Sequence, residues 1–180
     1  MQRERCAMAN TPAFLTLRRN RDQAGTREVP IRRVLVTLVS LFLLAGLLNV
    51  FGQRPGSSEA ASTAATIKLY APTRVRSGLY YQARFTIDAR SDVKNAMLVL
   101  APGWAEGMTI NTIEPSPIGE ASRDGKLVLT LGHIPAGASY LLFMQLQVNP
   151  TNIGHRSQDV ALYDGEMLLT TIDRDITIFP

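Results

Sequence analysis

LYYQARFTIDAR, residues 79–90, decides the fold. Leu79, Tyr81, Ala83, Phe85, Ile87 and Ala89 fall on one side of an extended chain. Tyr80, Gln82, Arg84, Thr86, Asp88 and Arg90 fall on the other. Successive side chains of a strand point to opposite faces, so this period of two predicts a strand with one buried face. Shorter runs of the same kind surround it. Ile67–Tyr70 precedes it. Ala96–Leu100, almost wholly apolar, reads as a central strand. Met108–Ile113 and Lys126–Leu131 follow, the second with Leu127, Leu129 and Leu131 on one side. Tyr140–Val148 sets Tyr140, Leu142, Met144, Leu146 and Val148 against Gln145 and Gln147. Asp159–Tyr163, Met167–Ile172 and Ile176–Phe179 complete the series.

Turn chemistry separates the runs. Asp124-Gly125 and Asp164-Gly165 are hairpin signals, because type I′ turns need positive φ. Ala101-Pro102-Gly103, Pro115-Ser116-Pro117 and Pro135-Ala136-Gly137 mark loops. About eight strands at this spacing, without a helical pattern among them, predict an all-β, immunoglobulin-like antiparallel β-sandwich over residues 67–180.

Upstream the pattern changes. Residues 52–66, GQRPGSSEAASTAAT, have the small, polar composition of a flexible linker. Before them stands VLVTLVSLFLLAGLLNVF, residues 34–51, with no charged side chain. As a helix it would cover about 27 Å, close to the hydrocarbon thickness of a bilayer. It predicts one transmembrane helix. A cleaved signal peptide is the rival reading, but the apolar run is longer than a signal core and the small-residue sites near Ala61–Ala64 lie far beyond it. Gly46 has no small partner at spacing four, so no GxxxG packing motif is present.

Residues 1–33 form a basic tail. They hold eight arginines against three acids, a net +5, whereas residues 34–180 hold eleven basic and twelve acidic side chains, a net −1. The basicity therefore sits beside the span, where it orients the chain, and is not a nucleic-acid footprint. The expected arrangement is a cell-membrane protein, single-pass, with its N-terminus cytoplasmic and its C-terminal domain extracytoplasmic. The tail is expected to be a disordered basic segment attracted to anionic lipid, the alternative being a short amphipathic turn of Ala13-Phe14-Leu15 and Leu17 beside Arg18 and Arg19. Cys6, the only cysteine, falls in this tail, so the β domain contains no disulfide.

Ala101-Pro102-Gly103, Leu131-Gly132-His133-Ile134-Pro135-Ala136-Gly137 and Asn149-Pro150-Thr151-Asn152-Ile153-Gly154 carry a resemblance. Together they resemble the turn pattern of bacterial extracellular immunoglobulin-like modules of the CARDB type. The resemblance covers most of residues 67–180. It implies an immunoglobulin-like fold at the cell surface and supplies no catalytic residue.

The remaining side chains offer little chemistry. His133 and His155 both adjoin glycine in expected loops, too few for a zinc site. Asp159, Asp164, Glu166, Asp173 and Asp175 lack EF-hand spacing. No nucleophile elbow, Walker loop or dinucleotide fingerprint is present. No enzyme, metal or cofactor is expected. Trp104, in the loop Pro102–Gly107, is either an exposed partner-binding anchor or a side chain folded back to close the end of the sandwich. Tyr80 and Arg84, on the polar side of the main strand, are further candidate contacts. Tyr70, Tyr81 and Tyr140 read as core or edge filling. The expected function is a membrane-anchored interaction module that binds another envelope or membrane protein. The alternatives are a non-catalytic accessory subunit of a membrane enzyme or transporter, packing through Gly46 or Asn49, and a carbohydrate-binding module working through Trp104 and neighbouring tyrosines.

Overall fold

The computed structural model describes residues 28–50 and 52–180. Two compact units divide them, one up to Leu48 and one from Asn49 to Pro180. The expectations for Cys6, for Phe14–Arg19 and for Phe51 lie outside the described residues.

The first unit is one helix, α1 (Glu28–Leu47). It begins before the uncharged run and stops short of its end. Pro30 near its start has no N–H to leave unpaired, and Asn49 takes φ 54 just beyond Leu47, a left-handed C-terminal cap. Val29–Leu47, 19 residues with a mean hydropathy of 1.8 in its best window, is long and apolar enough to cross a membrane. A signal sequence would meet the same description. Asn49, expected inside the span, lies past the helix. Among the described residues a Cβ at Gly46 would meet nothing within 4 Å apart from the helix's own backbone.

The second unit is a β-sandwich of twelve strands, β1 (Arg54–Ala61), β2 (Ala65–Arg76), β3 (Tyr80–Ala89), β4 (Val93–Leu100), β5 (Met108–Glu114), β6 (Gly119–Arg123), β7 (Lys126–Ile134), β8 (Ser139–Val148), β9 (Gly154–Ser157), β10 (Val160–Asp164), β11 (Met167–Ile172) and β12 (Asp175–Phe179). The first sheet runs β5-β8-β3-β2-β12-β9, with β1 also paired to β2; the second runs β11-β10-β4-β7-β6. All pairs are antiparallel except β12 with β2. The immunoglobulin-like sandwich expected from residues 79–90 is present.

Alternation builds the core. Tyr81, Ala83, Phe85, Ile87 and Ala89 of β3 are buried, facing Leu98, Leu100, Leu129 and Leu162 of the second sheet within one hydrophobic cluster. Leu79, expected on the same face, precedes the strand and stays 43% exposed. Asp124 (φ 52) and Gly125 (φ 74) make the type I′ turn between β6 and β7. Asp164 instead ends β10 and pairs with Met167, so the two-residue loop is Gly165-Glu166.

Three strands were not expected. Residues 54–61, given to a linker by composition, form β1, which pairs with β2 from Arg54↔Arg74 to Ala61↔Thr66. Their small side chains cannot bury much area, yet the backbone pairs against β2 all the same. β6 and β9 are likewise short and polar. The two histidines, expected in loops, sit on β7 and β9.

Candidate functional site

Trp104 is not at the surface. A 3-10 turn, Pro102–Trp104, carries it inward directly after β4, and the side chain is 0% exposed. Gly103 allows this. A Cβ there would stand 2.1 Å from the Ser157 carbonyl oxygen, so only glycine lets the turn lie so close to β9. The indole packs at 5.5 Å from the Phe85 ring, and the Arg174 guanidinium stands 5.7 Å from its centre on another side. Of the two roles weighed for Trp104, the structure shows the inward one. The surface anchor is corrected, and the carbohydrate alternative loses its tryptophan.

Arg174, beside the indole, is one of several buried polar side chains. Arg174 donates to the Pro72 carbonyl oxygen at 2.7 Å, and its own backbone N–H donates to Asp159 Oδ1 at 2.9 Å. Tyr81 Oη accepts from Gln158 Nε2 at 2.9 Å and lies 3.1 Å from Met108 Sδ. Burial pushes the Tyr81 phenol up to about 12, against the opposing pull of Gln158 and Arg174. Burial also lowers the Arg174 pKa from its ordinary value. These groups face the core, and their chemistry is structural.

The histidines are each tied to one neighbour. His133 Nε2 lies 2.6 Å from Asp92 Oδ1, and His155 Nδ1 lies 3.1 Å from Thr177 Oγ1. Among the described residues no group of three or more histidine, cysteine or acidic side chains is placed to hold a metal.

Tyr80 and Arg84 are on the surface, as expected. Both belong to the outer face of the first sheet, four residues apart on β3, about 13 Å along the strand. Tyr80 is 63% exposed. Arg84 lies 5.2 Å from the centre of the Tyr70 ring on β2, its cross-strand partner. Tyr70, read as filling, is thus an exposed partner of Arg84. The rest of this face is charged and amide-rich. Lys68 bridges Asp88 at 3.4 Å and Glu59 at 4.0 Å, while Gln82 faces Gln145 and Tyr80 faces Gln147.

The outer face of the second sheet is different in kind. One row across its five strands reads Thr171, Ala161, Val99, Val128, Ala121. The next reads Leu168, Tyr163, Met97, Thr130, Gly119. None of these ten positions carries a charge. Leu168 is 53% exposed, and Met167 (60%) and Ile118 (76%) add apolar surface at the margin. An antiparallel sheet with one face to water normally alternates apolar-in with polar-out. Here Ala96–Leu100 of β4 is apolar on both sides. The signal was in the sequence, since Ala96–Leu100 contains no polar residue. It reads equally well as a strand covered on both faces.

The fold thus defines an immunoglobulin-like β-sandwich module in a chain that also holds one helix apolar enough to cross a membrane. No family model matches the chain, and no curated protein matches it. Among solved structures it is similar to CaCohA2 from Clostridium acetobutylicum, known from a solution structure. The identity is 16%, the match covers 58% of this chain and 84% of that one, and the TM-score is 0.38. A likeness at this level carries nothing about ligand or partner.

Proposed function

We propose that the protein is a non-catalytic, membrane-anchored interaction module of the CARDB-type class. α1 crosses the membrane with the basic residues 1–33 on the cytoplasmic side. The β-sandwich stands outside and meets an envelope or membrane protein through the outer face of its second sheet. The observation that supports this is the absence of charge from two full rows of that face. Interface cores are depleted of charged residues, and contiguous exposed apolar surface marks an interaction site more often than chance placement.

Photo-crosslinking in intact membranes tests it. A benzophenone amino acid replacing Val99 in the full chain should give one adduct of defined mass, and adding Val128→Lys should abolish it without lowering the melting temperature. No adduct from position 99 refutes the face assignment. A second reading has its own support in the stacked Arg84–Tyr70 pair beside exposed Tyr80, since tyrosine and arginine are enriched at binding hot spots. An adduct from position 80, with none from 99, selects it.

A further inference from the structure

We propose that Arg54, Arg74 and Arg76 form a docking patch for anionic phospholipid headgroups. Arg54 and Arg74 are cross-strand partners beside a register shift between Arg54 and Pro55, and Arg76 is two residues further along β2. Like charges directly opposite each other destabilise a sheet. No Asp or Glu side chain comes within 4 Å of any of these three guanidiniums among the described residues. Lys68, on the same strand, has two acids to itself. Arg76 Nε donates to the Pro180 backbone oxygen at 3.2 Å; among the described residues Arg54 and Arg74 have no protein acceptor. The row continues through Thr177 to His155, paired in register with Arg74, and Asp175 is the one acid on that face of β12. An uncompensated cationic pair of this kind calls for an anion from outside the chain.

The position selects the anion. Six residues separate Leu47, the end of α1, from Arg54, so the seven Cα–Cα steps alone hold Arg54 within about 25 Å of the helix end. If α1 crosses the membrane, as the proposed function has it, the nearest dense source of negative charge is the headgroup layer. The inference rests on that reading of α1.

The test uses the full chain in vesicles, with Cys6→Ser and an environment-sensitive NBD probe on Thr73→Cys, an exposed position of β2 beside the patch. NBD emission should shift to the blue in phosphatidylcholine containing about one-third phosphatidylglycerol relative to phosphatidylcholine alone. Arg54→Gln, Arg74→Gln and Arg76→Gln together should lower the docked-to-undocked ratio about 100-fold, at roughly fivefold per arginine. Unchanged emission of the buried Trp104 reports that this variant remains folded. A protein that resists alkaline extraction but shows no lipid dependence overturns the docking and leaves the anchor intact. A protein extracted by alkali overturns the anchor, and the docking with it. A shift produced by inorganic phosphate over phosphatidylcholine vesicles also overturns lipid docking, and identifies a free-phosphate site.

Discussion

Trp104→Ala separates the two roles that a loop tryptophan can have. The side chain is fully buried, and it touches Phe85 and lies beside Arg174. Truncating a buried tryptophan to alanine costs about 3–5 kcal/mol, because transfer free energy is lost and the site collapses only in part. Aromatic and cation–π contacts of this geometry contribute on the order of 1 kcal/mol within that total. Arg174, 8% exposed, would lose its aromatic cover as well. Against a domain stability of about 5–15 kcal/mol, the expected loss of about 4 kcal/mol is severe. It corresponds to a fall in melting temperature of roughly 10–20 °C. Trp104→Phe keeps a ring against Phe85 and should lose less than half as much. Far-UV circular dichroism with urea and heat measures both variants, because the only tryptophan is the one removed. In the parent, acrylamide should quench Trp104 only after unfolding. A Trp104→Ala protein that melts within about 3 °C of the parent, or native emission that acrylamide quenches freely, would refute the buried assignment.

Three further outcomes are expected. The Ser139 hydroxyl, and more weakly Lys68, hold the Asp88 carboxyl below its ordinary value of 3.8. A carboxyl with a depressed folded pKa adds stability above 3.8 that is lost as pH falls through the folded value, so Ser139→Ala should destabilise at neutral pH. The gap should close below the folded pKa. Chemical shifts of Asp88 against pH would show the pKa rising in the variant, and an unmoved value would remove Ser139 as the cause. Tyr81 should ionise near 12 in an ultraviolet titration, and Tyr81→Phe should remove that step. Its folded pKa is raised above 10, so its stabilisation holds below 10 and disappears as pH rises toward 12; Tyr81→Phe should flatten that loss. Leu41→Arg, at the middle of the uncharged part of α1 (34–47), should abolish retention by membranes, since an arginine at the centre of a span costs about 3 kcal/mol or more. Undiminished resistance to alkaline extraction would refute the span.

The sequence determined what depends on neighbours along the chain. Strand periodicity is local, and it placed β3, β5, β7, β8, β10, β11 and β12 to within a few residues. Residues 79–90 alone named the inward face that holds Phe85 and Ile87. Asp124-Gly125 specified its hairpin because positive φ at both positions is an intrinsic preference. The apolar run specified a helix long enough for a bilayer. Tertiary structure decided whatever depends on neighbours in space. β1, β6 and β9 form because partners offer them hydrogen bonds, which their small or polar side chains do not advertise. Trp104 turns inward because Gly103 lets the turn approach Ser157, a contact across more than fifty residues. The apolar outer face of the second sheet emerges only when Val99, Val128 and Ala161, from three separated strands, stand in one row. Alternation says which side chains share a face of one strand. Only pairing says what that face lies beside and whether anything covers it.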